Sequence, residues 1–248
     1  MAGTAGSRAA RAASLGAAAA LAVEDLSLAI AGSRILDRVS FTVAKGGVTA
    51  LIGRNGAGKT TTLRSVIGLE HATGSVRVAG VEVAGWPTFR RIRLGIGYVP
   101  EDRDVFSRLT VKENLQLAEA GEDPRYDLVY EIFPELAQRS LQAAGTLSGG
   151  QQQMLAIARV LMNDKGLLLI DEPSKGLSPR FVGEMVEALE KVRGEATVVL
   201  VEQNIHVVKR LAGELVILDQ GRVAHTGPVE DLDDPELVRR LLGVSMGI

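Results

Sequence analysis

The chain contains no cysteine, and among its 248 residues there are only three histidines, His71, His206 and His225. The absence of thiols excludes disulfide bonds, thiolate metal sites and cysteine nucleophiles, and it is typical of a protein of the cytosol. The three histidines are scattered along the chain, so we do not expect a histidine-based metal cluster.

The sequence also lacks a strong excess of charge and any long apolar segment. It carries 28 Lys and Arg against 30 Asp and Glu, a net charge of −2. Nonspecific nucleic-acid binding usually requires a clear basic excess, so no nucleic-acid partner is expected. A helix needs about 20 apolar residues to span a bilayer, and the best candidate, residues 12–23, is Ala-rich and too short. If the protein works at a membrane, other chains must supply the spans.

Residues 1–20 consist largely of Ala, Gly and Ser, with Arg8 and Arg11 and no acidic residue. This composition is similar to that of a transit peptide or a weak signal sequence, but a strongly apolar central region is missing. We favour a disordered N-terminal extension over a targeting signal. Residues 21–248 are then long enough for a single domain with a packed core.

A glycine-rich motif follows the apolar run from Val48 to Ile52. It fits the pattern G-x-x-x-x-G-K-[ST], in which a loop between a buried strand and a helix binds phosphate groups. The alternative is a plain glycine-rich turn with a surface lysine, which the full eight-position pattern makes improbable. The candidate nucleotide-binding residues are Gly53, Arg54, Asn55, Gly56, Ala57, Gly58, Lys59, Thr60 and Thr61.

Each residue type in this motif has a physical purpose. Glycines permit positive φ, so that successive backbone N–H groups turn inward, and the helix N-terminus adds partial positive charge. Lys59 is expected to neutralise the β and γ phosphates, and the Thr60 hydroxyl to bind Mg²⁺. Thr61 is a candidate contact to the α phosphate. The motif therefore predicts binding of a nucleoside triphosphate.

A second motif is the apolar run from Leu167 to Ile170, which ends in Asp171 and Glu172. A buried strand would deliver these carboxylates to the sheet edge where α/β proteins bind ligands. We expect Asp171 to hold Mg²⁺ through its water shell and Glu172 to polarise the water that attacks the γ phosphate. The alternative, a strand that ends in two solvated acids, loses weight beside the phosphate-binding motif.

Residues 21–30, 39–43 and 197–201 have the character of strands. Strands alternate with helices along most of the chain, which predicts an α/β fold with a mostly parallel core sheet. Between residues 101 and 146 the apolar spacing becomes helical instead. There Thr110 and Glu113 form a predicted capping box that begins a helix through about residue 120, and residues 126–133 are a second helical candidate. We interpret this segment as a helical subdomain inserted into the α/β core.

A third motif runs from Leu147 to Gln151 and reads LSGGQ. Ser148 and Gln151 could form a capping box that merely begins a helix. Two glycines are poor formers of a first turn, however, and they suit a backbone that must approach an anion closely. With this motif the chain resembles the ATP-binding cassette (ABC) ATPases, whose signature is LSGGQ, over about residues 21–243.

The resemblance implies a P-loop NTPase core with a mostly parallel sheet, an antiparallel β subdomain and an inserted helical subdomain. It also implies that ATP and Mg²⁺ are bound, and that two cassettes sandwich two ATP molecules in a head-to-tail dimer. In that family the signature binds the γ phosphate of ATP held by the opposite subunit. The residues that would complete a partner's site are Ser148, Gly149, Gly150 and Gln151.

The segment between Lys59 and Ser148 selects a branch of the family. Relatives that maintain chromosomes or repair DNA carry a long coiled coil there, whereas this chain has only a small helical segment. Relatives that act in translation carry two cassettes, and this chain has one. The resemblance thus implies a transporter subunit at the cytoplasmic face of the plasma membrane, bound to permease subunits and indirectly to a solute-binding protein.

Four positions depart from the common family pattern. Ile30 lies where an aromatic residue usually stacks on adenine, so only apolar contact is expected there. Glu101 replaces the usual glutamine that contacts Mg²⁺, and Gln203 replaces the usual switch histidine. Ser178 stands where aspartate is common. The predicted catalytic residues are Glu172, Lys59 and Gln203, and the predicted metal-binding residues are Thr60, Asp171 and Glu101.

Several local sequences are similar to one subgroup, the ATP-binding subunits of branched-chain amino acid importers. They read YVPE, LSGG-x-QQMLAIAR, DEPS-x-GL-x-P, VEQN and LVRRLLGV. We therefore expect the chain to energise such an importer. The alternatives are an importer of urea or amides, a weakly hydrolysing nucleotide-gated regulatory module, and a soluble ABC ATPase without a membrane partner. Gln203 and Ser178 are the residues that favour the regulatory module.

Overall fold

The computed structural model describes residues 19–243, so most of the predicted N-terminal extension lies outside the described residues. Within that range the chain forms ten β-strands and nine α-helices. The strands are β1 (Ala19–Ile30), β2 (Ser33–Ala44), β3 (Val48–Gly53), β4 (Thr73–Val78), β5 (Val81–Glu82), β6 (Ile96–Val99), β7 (Leu167–Asp171), β8 (Thr197–Val201), β9 (Glu214–Asp219) and β10 (Arg222–Pro228). The helices are α1 (Lys59–Ile67), α2 (Thr88–Arg93), α3 (Val111–Gln116), α4 (Tyr126–Ile132), α5 (Pro134–Gln138), α6 (Gly149–Leu161), α7 (Pro179–Val192), α8 (Ile205–Leu211) and α9 (Pro235–Leu242).

A four-stranded antiparallel sheet has the order β2-β1-β4-β5. Its first two strands form a tight hairpin, in which Ile30 pairs with Ser33 across Ala31 and Gly32, both at positive φ. Strand β2 begins at Ser33, six residues before the start that the sequence predicts, because its first half carries exposed charged residues such as Arg34. The antiparallel β subdomain is thus present.

A six-stranded sheet with the order β10-β9-β3-β8-β7-β6 forms the core. The five strands from β9 to β6 are mutually parallel, and β10 pairs antiparallel with β9 at the edge. Strands β3, β7 and β8 are buried along their whole length, as expected for parallel strands covered on both faces. The predicted mostly parallel sheet is confirmed.

The order of the parallel strands brings four predicted segments together. Because the carboxyl ends of parallel strands meet at one edge of a sheet, the loops after β3, β8, β7 and β6 begin side by side. These loops contain, in that order, the glycine-rich motif, Gln203, Glu172 and Glu101, and Asp171 is the last residue of β7.

The segment that the sequence assigns to a helical subdomain contains α3, α4 and α5. The predicted capping box is present at its start: the Thr110 hydroxyl accepts a hydrogen bond from the Glu113 N–H at 3.1 Å, and the Glu113 carboxylate accepts one from the Thr110 N–H at 2.7 Å. Helix α3 ends at Gln116, earlier than the predicted residue 120. Buried side chains including Val111, Leu115 and Leu136 join this segment to the core that contains α6.

The longest helix of the described part, α7, has 14 residues. Within residues 19–243 no helix combines the length and the apolar character that crossing a membrane requires.

Candidate nucleotide-binding site

The glycine-rich loop leaves β3 at Gly53 and enters α1 at Lys59, as the sequence predicts. Two of its glycines are required by their surroundings. A Cβ on Gly53 would lie 2.3 Å from the Leu218 carbonyl oxygen, and one on Gly58 would lie 2.7 Å from a methyl group of Leu36. Both residues also have positive φ, 153° at Gly53 and 98° at Gly58. Any other residue at these positions would push the loop away from the sheet.

Lys59 is buried beneath this loop. Its ammonium group donates hydrogen bonds to the Gly53 carbonyl at 3.0 Å and to the Arg54 carbonyl at 3.2 Å. Its Nζ also lies 3.7 Å from Oε1 of Glu172. A buried ammonium group that is held by carbonyls is well placed to meet phosphate oxygens at the mouth of the loop.

Thr60 and Asp171 meet across the gap between α1 and β7. The Thr60 hydroxyl donates to Oδ1 of Asp171 at 3.1 Å, and Asp171 is fully buried. Burial raises the pKa of the Asp171 carboxyl to about 6, although the hydrogen bond from Thr60 acts in the opposite direction. Its Oδ2 atom is buried without a hydrogen-bond partner among residues 19–243. An unsatisfied carboxylate oxygen beside a hydroxyl suits a hard cation such as Mg²⁺.

Glu172 lies among three polar side chains. Its Oε1 accepts a hydrogen bond from the Gln203 amide at 2.5 Å, and its Oε2 lies 3.6 Å from Nζ of Lys175. Lys175 also forms an ion pair with Glu101. The carboxylate is thus placed between the ammonium groups of Lys59 and Lys175. The predicted residues Glu172, Lys59, Gln203 and Glu101 are all brought together here.

Two residues of this cluster were not predicted from the sequence. Lys175 gave a weak signal, a cation three residues after an acidic pair. Glu202 directly follows the apolar strand β8, which is the same pattern that identified Asp171 and Glu172. The Glu202 carboxylate is buried, and it accepts hydrogen bonds from the backbone N–H groups of Ser174, Gln203 and Asn204.

The LSGGQ segment forms the start of α6 and contains the predicted capping box. The Ser148 hydroxyl accepts a hydrogen bond from the Gln151 N–H at 3.3 Å, and the Gln151 side chain accepts one from the Ser148 N–H at 3.0 Å. A Cβ on Gly150 would lie 2.4 Å from the ring of Phe181, so packing against α7 also requires this glycine. Within residues 19–243 no hydrogen bond or ion pair joins this segment to the glycine-rich loop.

Ile30 lies in the antiparallel sheet. It is the last residue of β1, and its side chain is 46% exposed. Next to the loop itself lies a cleft of about 240 Å³, lined by Arg54, Asn55, Gln203, Ile205 and Leu242 among others.

A buried strand, a glycine loop over a lysine and a Thr–Asp pair at the end of a neighbouring strand are the phosphate-binding arrangement of P-loop NTPases. Comparison with known families narrows this class. The model of the family "ABC transporter" matches residues 36–175, which is more than half of the chain. The chain therefore belongs to the ABC transporter family, as an ATP-binding and ATP-hydrolysing cassette.

Curated relatives agree with this assignment. The chain is 44% identical over 216 residues to the high-affinity branched-chain amino acid transport ATP-binding protein BraG of Pseudomonas aeruginosa, covering 84% of this chain and 93% of the relative. It is 38% identical over 215 residues to the probable branched-chain amino acid transport ATP-binding protein LivF of Archaeoglobus fulgidus, covering 84% and 91%.

Solved structures show the same fold. A nucleotide-free ATP-binding cassette from an ABC transporter aligns with a TM-score of 0.78 at 25% identity, over 89% of this chain and 97% of that chain. An ATP-binding subunit of an ABC transporter aligns with a TM-score of 0.75 at 29% identity, over 92% and 95%.

The raised pKa of Asp171 predicts a pH dependence of stability. Because the folded state binds a proton more tightly than the unfolded chain, this group stabilises the fold below about pH 4, and that stabilisation is lost as the pH rises through about 6. We expect the free energy of unfolding of the wild type, relative to Asp171→Asn, to fall by about 2 to 3 kcal/mol between pH 4 and pH 7. Urea denaturation in Mg²⁺-free buffer measures this difference.

The matched control is Asp164→Asn, because the Asp164 side chain is 92% exposed. That variant should follow the wild type at every pH. A difference between wild type and Asp171→Asn that does not change with pH would contradict the interpretation of Asp171.

Proposed function

We propose that this chain is the ATP-hydrolysing subunit of an importer for branched-chain amino acids, bound peripherally at the cytoplasmic face of the membrane. The observation that carries this proposal is the 44% identity to BraG over 84% of the chain. A related importer of urea or amides is the main alternative, because an ATPase subunit does not itself touch the transported molecule.

The geometry supports a specific assignment of roles. The loop from Gly53 to Gly58 offers its backbone N–H groups to the phosphates of ATP, and Lys59 supplies the compensating positive charge. Thr60 and Asp171 are the residues that would hold Mg²⁺, which neutralises phosphate charge when it is bound. Thr61, in the first turn of α1, is assigned to the α phosphate.

Glu172 is assigned as the base that orients the attacking water. Its carboxylate, 2.5 Å from the Gln203 amide, is assigned to accept a proton from a water on the side of the γ phosphate. The Gln203 amide donates to Glu172 and fixes its direction, but unlike a histidine it cannot take up a proton. Glu101, paired with Lys175 across the same cluster, is assigned to the outer side of the metal site.

We assign the signature segment to the site of a second cassette, in a homodimer or heterodimer. Ser148 is exposed at the start of α6, where free backbone N–H groups of the first turn favour an anion. The separation of this segment from the chain's own loop supports an action in trans. ATP that contacts both subunits only in the closed dimer would shift the equilibrium toward closure.

The surface that we assign to a permease is a second cleft, of about 410 Å³, between the parallel sheet and the helical segment. Arg64, Leu69 and Arg159 are among the residues that line it. The exposed ring of Phe106 stacks on the Arg159 guanidinium with 4.7 Å between the Cζ atom and the ring centroid. Apolar residues line this cleft together with charged residues of both signs, Asp102 and Asp104 among them. Such a cleft suits a short amphipathic helix of a membrane partner, and a permease pair would also connect the cassettes to a solute-binding protein.

Replacement of Glu172 tests its assigned role in hydrolysis. Glu172→Gln keeps the shape of the side chain and its contact with Gln203 but removes the base. We expect turnover to fall by about 10²- to 10⁴-fold while ATP binding is retained, so that a closed dimer accumulates with ATP. Phosphate release and size-exclusion chromatography with ATP measure the two effects, and Lys59→Ala should instead lose binding. Turnover of Glu172→Gln at the wild-type rate would exclude the assigned base.

Replacement of Ser148 tests whether the signature segment acts in a dimer. Ser148→Arg places a bulky cation at the surface that would meet a partner's ATP, so ATP-dependent dimerisation and turnover should be lost while ATP still binds to the monomer. Leu141→Arg is the control, because Leu141 is 81% exposed in the same helical segment. Loss of ATP binding by the Ser148→Arg monomer would show that the signature serves its own site.

Purification from membranes tests whether the chain binds permease subunits. We expect affinity purification from native membranes to recover permease subunits. Phe106→Asp should reduce their recovery because it removes the ring that stacks on Arg159, a residue that lines the second cleft. Leu141→Asp should leave recovery unchanged. If no membrane protein is recovered, a soluble ATPase is favoured. If Mg²⁺-dependent turnover is also absent, a nucleotide-gated regulatory module is favoured.

A further inference from the structure

Glu202 is a buried acid at the centre of the cluster, with 2% of its surface exposed. It directly follows β8, between Val201 of that strand and Gln203. Within residues 19–243 no lysine or arginine forms an ion pair with this carboxylate. A buried carboxylate is costly unless hydrogen bonds satisfy it.

Three backbone N–H groups satisfy the Glu202 carboxylate. Its Oε1 accepts from Ser174 at 3.0 Å, and its Oε2 accepts from Gln203 at 2.8 Å and from Asn204 at 3.0 Å. Such bonds to a charged acceptor are stronger than bonds between neutral groups. One side chain therefore joins the loop after β7 to the loop after β8.

The loop after β7 needs this support because its first residue has a strained backbone. Glu172 has φ of 44°, a conformation that residues other than glycine rarely adopt. It persists only where the surroundings fix it. Its own N–H donates to the Val201 carbonyl at 2.9 Å, and two residues later the N–H of Ser174 donates to Glu202. Two consecutive residues, Val201 and Glu202, thus hold the backbone at the strained residue itself and two residues after it.

We infer that Glu202 is a positioning residue for hydrolysis, which holds the Glu172 carboxylate and the Gln203 amide at their 2.5 Å contact. The inference rests on the proposed role of Glu172 as the base. It explains why a carboxylate is needed: a glutamine has only one acceptor oxygen, so its NH₂ group would face backbone N–H donors. An aspartate is shorter by one methylene group and cannot reach both loops from the same backbone position.

The test compares Glu202→Gln and Glu202→Asp with the wild type. We expect kcat to fall roughly 10- to 100-fold in both variants, as for small misplacements of a catalytic group. The dissociation constant of ATP should stay within about twofold, because within residues 19–243 no hydrogen bond or ion pair joins Glu202 to Lys59 or to the glycine loop. Phosphate release and nucleotide binding to the purified full chain measure the two quantities.

Glu82→Gln is the matched control. The Glu82 carboxylate also accepts hydrogen bonds from two backbone N–H groups, those of Val76 and Ala84, but it lies in the antiparallel sheet. It should lose some stability and keep its turnover. If Glu202→Gln turns over ATP as fast as Glu82→Gln, the inference is wrong.

The double variant Glu172→Gln/Glu202→Gln separates positioning from general damage. A residue that acts through Glu172 should cause no further loss of turnover once Glu172 is replaced. A further loss in the double variant, together with weaker ATP binding in the single variant, would overturn the inference in favour of a purely structural role. If Glu202→Gln does not fold, Glu202→Asp replaces it in the same comparison. Wild-type turnover by Glu172→Gln alone would refute the proposed base and leave Glu202 with no role in positioning it.

Discussion

The side-by-side parallel pairing of β3, β8 and β7 is the constraint on which the site depends. Each strand is mostly apolar and is buried along its whole length. A shift in register would therefore expose apolar groups or bury the polar residues that follow the strand ends. The pairing therefore fixes where each strand stops, and the polar residues directly after the stops become neighbours. Binding of phosphate, binding of metal and activation of water are assigned to residues far apart in sequence that share one sheet edge.

The sequence predicted those three strands nearly to the residue because burial on both faces makes the apolar pattern unambiguous. It predicted the start of β2 too late, since Arg34 and its charged neighbours conceal a strand that is only half buried. It explained Gly150 by approach to an anion, whereas the ring of Phe181 also leaves no space for a side chain there. The spacing of apolar residues predicts that a helix begins close to Gly150, but it does not show which side chain packs against this glycine.

Glu202 and Lys175 were missed for a related reason. Motif patterns identify side chains that meet a ligand, and these two residues meet other parts of the chain instead. The Glu202 carboxylate bonds to backbone N–H groups, which every sequence has, and Lys175 meets acids from two different loops. The chemistry of the candidate site could be predicted from its motifs. The contacts of Glu202 and Lys175 that hold its loops in place could not, because they join residues that become neighbours only in the folded chain.

The packing of Phe181 against Gly150 has a mechanical consequence. Phe181 is in the first turn of α7, a few residues after the loop that begins with Glu172, and Gly150 is in the first turn of α6, within the signature. Because Gly150 has no Cβ, the two first turns pack directly against each other, so a displacement of one would press on the other. In the head-to-tail dimer that we propose, a shift of the loop beside one ATP would therefore also shift the signature segment that faces the other ATP. Steric contact within each cassette would couple the two sites.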